Sequence, residues 1–243
     1  MLPKVAIICA NYNYGRFILD GMESILNQTY EGEIRLYVVD DGSSDESWEI
    51  ISRYAISKDN VFVQRIENSG ASVARNTAIE MCWDWADIIG ILDADDSYKP
   101  TKVEKLVNKL IEHPEVGVAY GDYDIHRIYA DKNYIKYESK PSYCRRKMLQ
   151  SCMVHSNALI KKQFLEKVIL PNGEIFDSRL HGPASKGFIG CTEDFDLWIR
   201  LSKHCIICHV PESLSIVNES GQNQSMKMTP EIFHQHAQIL GNR

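Results

Sequence analysis

The 243-residue chain is most informative first for what it does not contain. It has no Gly-x-Gly-x-x-Gly and no Gly-x-x-x-x-Gly-Lys-Ser/Thr. A phosphate cradle made from a glycine loop and a helix N-terminus is therefore not indicated. No apolar run approaches the ~20 residues that cross a bilayer. The N-terminus enters Lys4-Val5-Ala6-Ile7-Ile8-Cys9-Ala10 directly, too short and too strand-like for a secretory leader. A soluble cytoplasmic protein is expected, at most peripheral to a membrane. There is no basic surplus: the net charge is −6, which argues against nucleic-acid binding. Internal repeats and low-complexity stretches are missing too. The seven cysteines are odd in number and several sit in apolar runs, which suits reduced thiols rather than a disulfide framework. His204-Cys205-Ile206-Ile207-Cys208-His209 has metal-like spacing. It reads as a strand, where positions three apart face opposite ways, and no second Cys-x-x-Cys completes a tetrahedral zinc site.

What is present begins with Ile88-Ile89-Gly90-Ile91-Leu92-Asp93-Ala94-Asp95-Asp96. A short β-branched run reads as a strand buried on both faces. The carboxylates at its exit repel one another unless a positive charge sits among them. Oxygen ligands at this density suit Mg²⁺ or Mn²⁺. A solvated acidic turn before the next helix is the competing reading.

Earlier segments repeat the pattern. Strands are predicted at Val5–Ala10, Ile34–Asp40, Val61–Ile66 and Asp87–Leu92. Helices are predicted over 16–28, around Trp48, Ile51 and Tyr54, and over 72–82, from apolar residues at helical spacing. A β-α-β-α-β-α-β order implies a mainly parallel sheet with helices on its faces. Ligands of such sheets bind beyond the carboxyl ends of the strands. Asn11-Tyr12-Asn13, Asp40-Asp41, Asn68 with Gly70, and Asp93 to Asp96 all fall there. Tyr12 offers a flat face for a base and Asp41 an acceptor for an imide N–H. Arg75 offers a fork of donors for a base or phosphate. Each also has a structural reading: an edge cover, a turn with helix-cap chemistry, a solvated helix residue.

In the second half a helix is predicted over Pro100–His113 and a strand over Val116–Tyr120. Residues 125–138 read as a hairpin, Arg145-Arg146-Lys147 as a solvated helix face, and Met153–Ile160 as a strand. Pro171–Gly190, long and glycine-bearing, is expected to be a functional or mobile loop. Thr192 is a candidate N-cap for a helix whose first turn holds Glu193 and Asp194. Asp194 is either a helix-dipole partner or a general base. A strand at Ile206–Pro211, a linker rich in Ser, Asn and Gln, and a final helix starting at Thr229-Pro230 close the chain. The expected division is 1–98 for a ligand-binding half, 99–215 for a second half of the same domain, and 216–243 for a C-terminal segment.

With these residues in place the chain resembles the inverting family 2 glycosyltransferases of GT-A fold, in order over residues 4 to about 225. The resemblance rests on Ala10-Asn11-Tyr12-Asn13, Val39-Asp40-Asp41-Gly42-Ser43, Gly70-Ala71-Ser72-Val73-Ala74-Arg75-Asn76, Leu92-Asp93-Ala94-Asp95-Asp96 and Glu193-Asp194-Phe195-Asp196-Leu197-Trp198. It implies an α/β GT-A fold, with a nucleotide-sugar site in the first half and an acceptor site in the second, and a nucleotide-diphosphate sugar donor, most readily a UDP-sugar. It further implies a glycan or lipid-linked acceptor and a role in polysaccharide or glycolipid synthesis. The implied donor-site residues are Ala10, Tyr12, Asp41, Asn68, Gly70, Arg75 and Asp93. Asp95 and Asp96 would hold Mn²⁺ or Mg²⁺, and Asp194 would be the base. One departure stands out: where many relatives carry a late His ligand, this chain has Val217-Asn218-Glu219-Ser220, so that either the metal is held more loosely or Asn218 or Ser220 contacts it or the diphosphate instead. The alternatives are a sugar-nucleotide pyrophosphorylase, which would want a basic glycine loop after the first strand, and a non-catalytic nucleotide- or metal-binding module.

Overall fold

The computed structural model describes residues 1–129, 132–148, 152–181 and 192–219. Its organising unit is a parallel set of four strands: β1 (Val5–Asn11), β2 (Ile34–Asp40), β3 (Val61–Arg65) and β4 (Ile88–Asp93). They lie in the order β3-β2-β1-β4, with Val5 opposite both Ile34 and Ile88. The connecting helices are α1 (Gly15–Leu26), α2 (Ser47–Ala55) and α3 (Ala71–Cys82).

Alternate residues of each strand feed two separate cores. Ala6, Ile8, Val39, Ile89 and Ile91 pack with Ala74, Ala78 and Ile79 of α3. Val5, Ile7, Cys9, Val38 and Leu92 pack on the opposite face with Ile18, Met22 and Ile25 of α1. Burial on both faces is why these strands read as unbroken apolar runs.

The sheet continues past β4 with mixed polarity. A two-residue β5 (Ser97–Tyr98) leads into α4 (Lys102–Glu112), whose Val103, Leu106, Val107 and Leu110 fill the second core. β6 (Val116–Tyr129) and β7 (Lys132–Glu138) form the expected antiparallel hairpin, with Tyr123 opposite Glu138. α5 (Arg145–Met148) presents Arg145, Arg146 and Lys147 to solvent. β8 (Leu159–Lys161) and α6 (Lys162–Leu165) precede α7 (Glu193–Leu201) and β9 (Ile206–Glu219). The full order is β3-β2-β1-β4-β8-β6-β9-β5, with β7 also paired to β6.

Two segments differ from the sequence reading. Of the expected Met153–Ile160 strand only Leu159 and Ile160 pair in the sheet, in a β8 that runs on to Lys161. Residues 153–158 turn instead, because Ser156 and Asn157 bond to carboxylates at the end of β4. The described part of the polar run after Pro211 is strand rather than linker: β9 carries it to Glu219, with Ser213 and Ser215 paired with Lys99, Lys102 and Asp124. The described part of the Pro171–Gly190 loop is pinned, since Asn76 bonds the backbone of Ile175 and Phe176 and Phe176 is buried. The rest of that loop, residues 130–131, the remainder of the expected linker from Ser220 and the helix expected from Thr229 lie outside the described residues. Among the described residues no helix is long and apolar enough to cross a membrane.

Candidate active site

The carboxyl ends of β1, β2 and β4 and the N-termini of α3 and α7 meet at one rim, and the side chains there are tightly cross-linked. Ala10 and Tyr12, at and just beyond the end of β1, are partly exposed. Asn11 is buried and donates to Asp40 Oδ2 at 2.9 Å and Ser43 Oγ at 3.1 Å. Asn13 takes a left-handed backbone, φ 61°, which places its Oδ1 to accept from Ser44 N at 2.8 Å. Asp41 staples the next loop: it accepts from Asn68 Nδ2 at 3.0 Å, Ser69 N at 2.7 Å and Gly70 N at 2.9 Å. Gly70, at φ 97°, is the N-cap of α3, and glycine is the residue that enters that region without strain. Burial nonetheless pushes the Asp41 pKa upward. Its carboxylate has limited accepting capacity left for an imide N–H, so the expected acceptor is also the fastener of its own loop.

Asp93, Asp95 and Asp96 lie where β4 ends, and residues remote in sequence hold them. Asp93 N donates to Asn157 Oδ1 at 3.0 Å, and Asn157 Nδ2 donates to Asp96 Oδ2 at 2.7 Å. Ser156 Oγ donates to Asp93 Oδ2. Asn218, at the end of β9, donates its backbone N–H to Asp96 Oδ1 at 3.3 Å and its amide to Asp95 O at 2.6 Å. The late Asn218 is thus brought to the carboxylate cluster. Sequence reasoning missed Ser156 and Asn157; the signal was a polar triplet, His155-Ser156-Asn157, inside an apolar run.

Arg75 joins this cluster to α7. Its Nη2 lies 2.9 Å from Asp93 Oδ1 and its Nη1 bonds Glu193 Oε1. His181 Nδ1 is 3.0 Å from the same Glu193 oxygen. Arg75 and Glu193 are buried, so the guanidinium is committed to protein carboxylates rather than solvated. Burial would raise the Glu193 pKa, but His181 and Arg75 pull it down to about 2. Asp194 is the next residue, partly exposed. Burial and the neighbouring Glu193 charge push its carboxyl up to about 7, within the range where a carboxylate serves as general base at neutral pH. Asp194 and Asp93 are close enough for Asp93 to contribute to that rise. Glu193 reads from sequence as a helix first-turn acid; its role as the anchor of Arg75 was not legible there.

The cluster fits a hard divalent cation on its chemistry. Burial and Asp93 raise Asp95 to about 7, and burial with Asp95 and Asp93 raises Asp96 well above the usual carboxylate range. Such groups want either protons or a cation. Among the described residues no three His, Cys, Asp or Glu side chains form a ready cage.

A mainly parallel sheet flanked by helices, with this rim at its carboxyl edge, is an α/β fold of the GT-A kind. Residues 6–169, more than half of the chain, match the sequence profile of glycosyl transferase family 2. The chain belongs to that family. The glycosyltransferase GlyG of Streptococcus pneumoniae is 30% identical over 194 residues, covering 73% of this chain and 63% of GlyG. The minor teichoic acid biosynthesis protein GgaA of Bacillus subtilis is 31% identical over 117 residues, 47% of this chain and 26% of GgaA. The structure of S. aureus TarS residues 1–349 in complex with UDP-GlcNAc superposes with a TM-score of 0.71 at 16% identity, covering 98% of this chain and 65% of TarS 1–349. The chain therefore spans less than two thirds of GlyG and of that TarS chain. Family membership removes the pyrophosphorylase alternative.

Proposed function

We propose that this chain transfers a sugar from a nucleotide diphosphate, a UDP-sugar, to an acceptor hydroxyl with inversion, with Asp194 as base. The reading is supported by the chain of contacts Asp93–Arg75–Glu193, which brings Asp194, the neighbour of Glu193, to the same rim as the carboxylate cluster. Asp194 takes the proton of the acceptor hydroxyl as its oxygen attacks the anomeric carbon from the side opposite the diphosphate. A single displacement of that kind inverts the anomeric centre. Arg75, held by two carboxylates, keeps Asp93 and the α7 N-terminus in register. Tyr12, with Ala10 beside it, lies at the edge where a base would stack, and Asp41, Asn68 and Gly70 shape the loop beneath it. Asp95 and Asp96 would hold Mn²⁺ or Mg²⁺ there, which would supply Lewis-acid neutralisation of the departing diphosphate.

Support for the donor comes from TarS, whose structures include complexes with UDP and with UDP-GlcNAc. The name of GgaA supports a role in making a cell-surface polymer, with a glycan or lipid-linked acceptor. The test is a nucleotide-release screen over UDP-, GDP- and dTDP-sugars, with Mn²⁺, with Mg²⁺ and with chelator. UDP release that requires a divalent cation is the expected result. Release confined to another nucleotide contradicts the donor assignment, and full activity in chelator contradicts the metal assignment.

A further inference from the structure

Next to Ser156, which bonds the Asp93 oxygen that Arg75 leaves free, His155 belongs to a pair of aromatic rings that the chemistry above leaves unused. Tyr123 on β6 and His155, in the turn before β8, have ring centroids 4.5 Å apart and planes inclined by 47°. Both are partly exposed. The backbone beneath His155 is fixed to the reaction centre, because Ser156 bonds Asp93 and Asn157 bonds both Asp93 and Asp96. Asn157 N donates to His155 Nδ1 at 3.2 Å, which leaves the ring proton on Nε2 as a donor. The Lys140 ammonium lies 5.3 Å from the Tyr123 ring centroid. An aromatic face that draws an ammonium also draws the C–H groups of a sugar ring, since both answer to the negative π face. A four-carbon side chain can swing aside to yield that place.

We infer that Tyr123 and His155 form the subsite for an acceptor pyranoside. The C–H face of the sugar lies against Tyr123, and one of its hydroxyl oxygens accepts from His155 Nε2. The assignment rests on the glycosyl-transfer reading and adds to it the chemical class of the acceptor's terminal unit. It also explains why one tripeptide carries both functions: Ser156 and Asn157 set the carboxylates while His155, one residue earlier, meets the incoming alcohol. Donor and acceptor are then held by a common piece of backbone.

The test uses octyl β-glucoside, octyl β-galactoside and octyl β-N-acetylglucosaminide as probes, titrated by calorimetry into protein saturated with UDP and MnCl₂. UDP affinity is measured separately for every variant. At least one glycoside binds, Tyr123→Ala raises its Kd about tenfold or more, and Tyr123→Phe stays within about twofold, the difference of a tenfold step being about 1.4 kcal/mol. His155→Ala weakens binding by about threefold to tenfold, as the loss of one hydrogen bond does. Lys140→Ala leaves glycoside binding in place. The subsite is overturned if UDP binds but no glycoside does, or if Tyr123→Ala binds the glycoside as tightly as the parent. A loss in Lys140→Ala larger than that in Tyr123→Ala overturns it too, since the site would then select an anion. Absence of UDP binding in the parent protein overturns the donor reading and the subsite with it.

Discussion

Arg75 grips Asp93 with one arm, at 2.9 Å, and Glu193 with the other. Three elements far apart in the chain, β4, α3 and α7, are thereby locked at the point where the chemistry is proposed. A buried pair of this kind is costly to break from one side, because the partner charge is left uncompensated. Glu193 also carries a pH signature. Its folded pKa of about 2 lies below the ordinary 4.5, so its stabilising contribution is present above about pH 4.5 and is lost as pH falls toward 2.

Glu193→Gln is accordingly expected to lower stability at neutral pH by about 3–5 kcal/mol. The gap between parent and variant should narrow as pH falls from 4.5 to about 2. Urea titrations across that window measure it. A gap that stays constant with pH would mean that Glu193 is not charged in the folded protein.

The amide of Asn157 ties Asp96 to β4. Asn157→Ala leaves Asp93 N and Asp96 without these partners, and is expected to cost about 1–3 kcal/mol. Isothermal titration of Mn²⁺ with UDP should show weaker binding in this variant than in the parent. Unchanged affinity would confine Asn157 to a purely architectural role.

Helix α1 approaches the carboxylate turn so closely that a Cβ on Gly21 would sit 2.9 Å from the backbone oxygen of Asp96. Backbone cannot yield as a flexible side chain can. Gly21→Ala is expected to destabilise by about 1–3 kcal/mol, as overpacking does. A thermal melt reads the cost. A neutral result would show that α1 can slide without disturbing the turn.

Much of the first half was legible because β1, β2 and β4 are buried on both faces. Ile34–Asp40 is a strand with the very bounds that its apolar run indicates. The rim could be anticipated for the same reason: parallel topology sends every strand exit to one edge. What escaped notice depended on contacts across long stretches of chain. Glu193 meets Arg75 over 118 residues, and nothing local distinguishes it from an ordinary helix-dipole acid. Met153 and Val154 are buried as an apolar run suggests, yet the polar triplet after them turns toward Asp93 and Asp96 instead of pairing. In β9 the serines disguise the strand, because their hydroxyls are satisfied by Lys99, Lys102 and Asp124 rather than by solvent.

The most direct test of the proposed chemistry is Asp194→Asn, followed through both UDP affinity and sugar transfer over pH 5 to 9, a range of roughly two units either side of neutral. The parent should lose transfer as pH falls through about 7, where the Asp194 carboxyl takes up its proton. Transfer in the variant is expected to fall by about 10²–10⁴, the usual scale for losing a general base, with UDP affinity kept. Transfer by Asp194→Asn at the parental rate, or with the parental acid limb intact, would contradict Asp194 as the base.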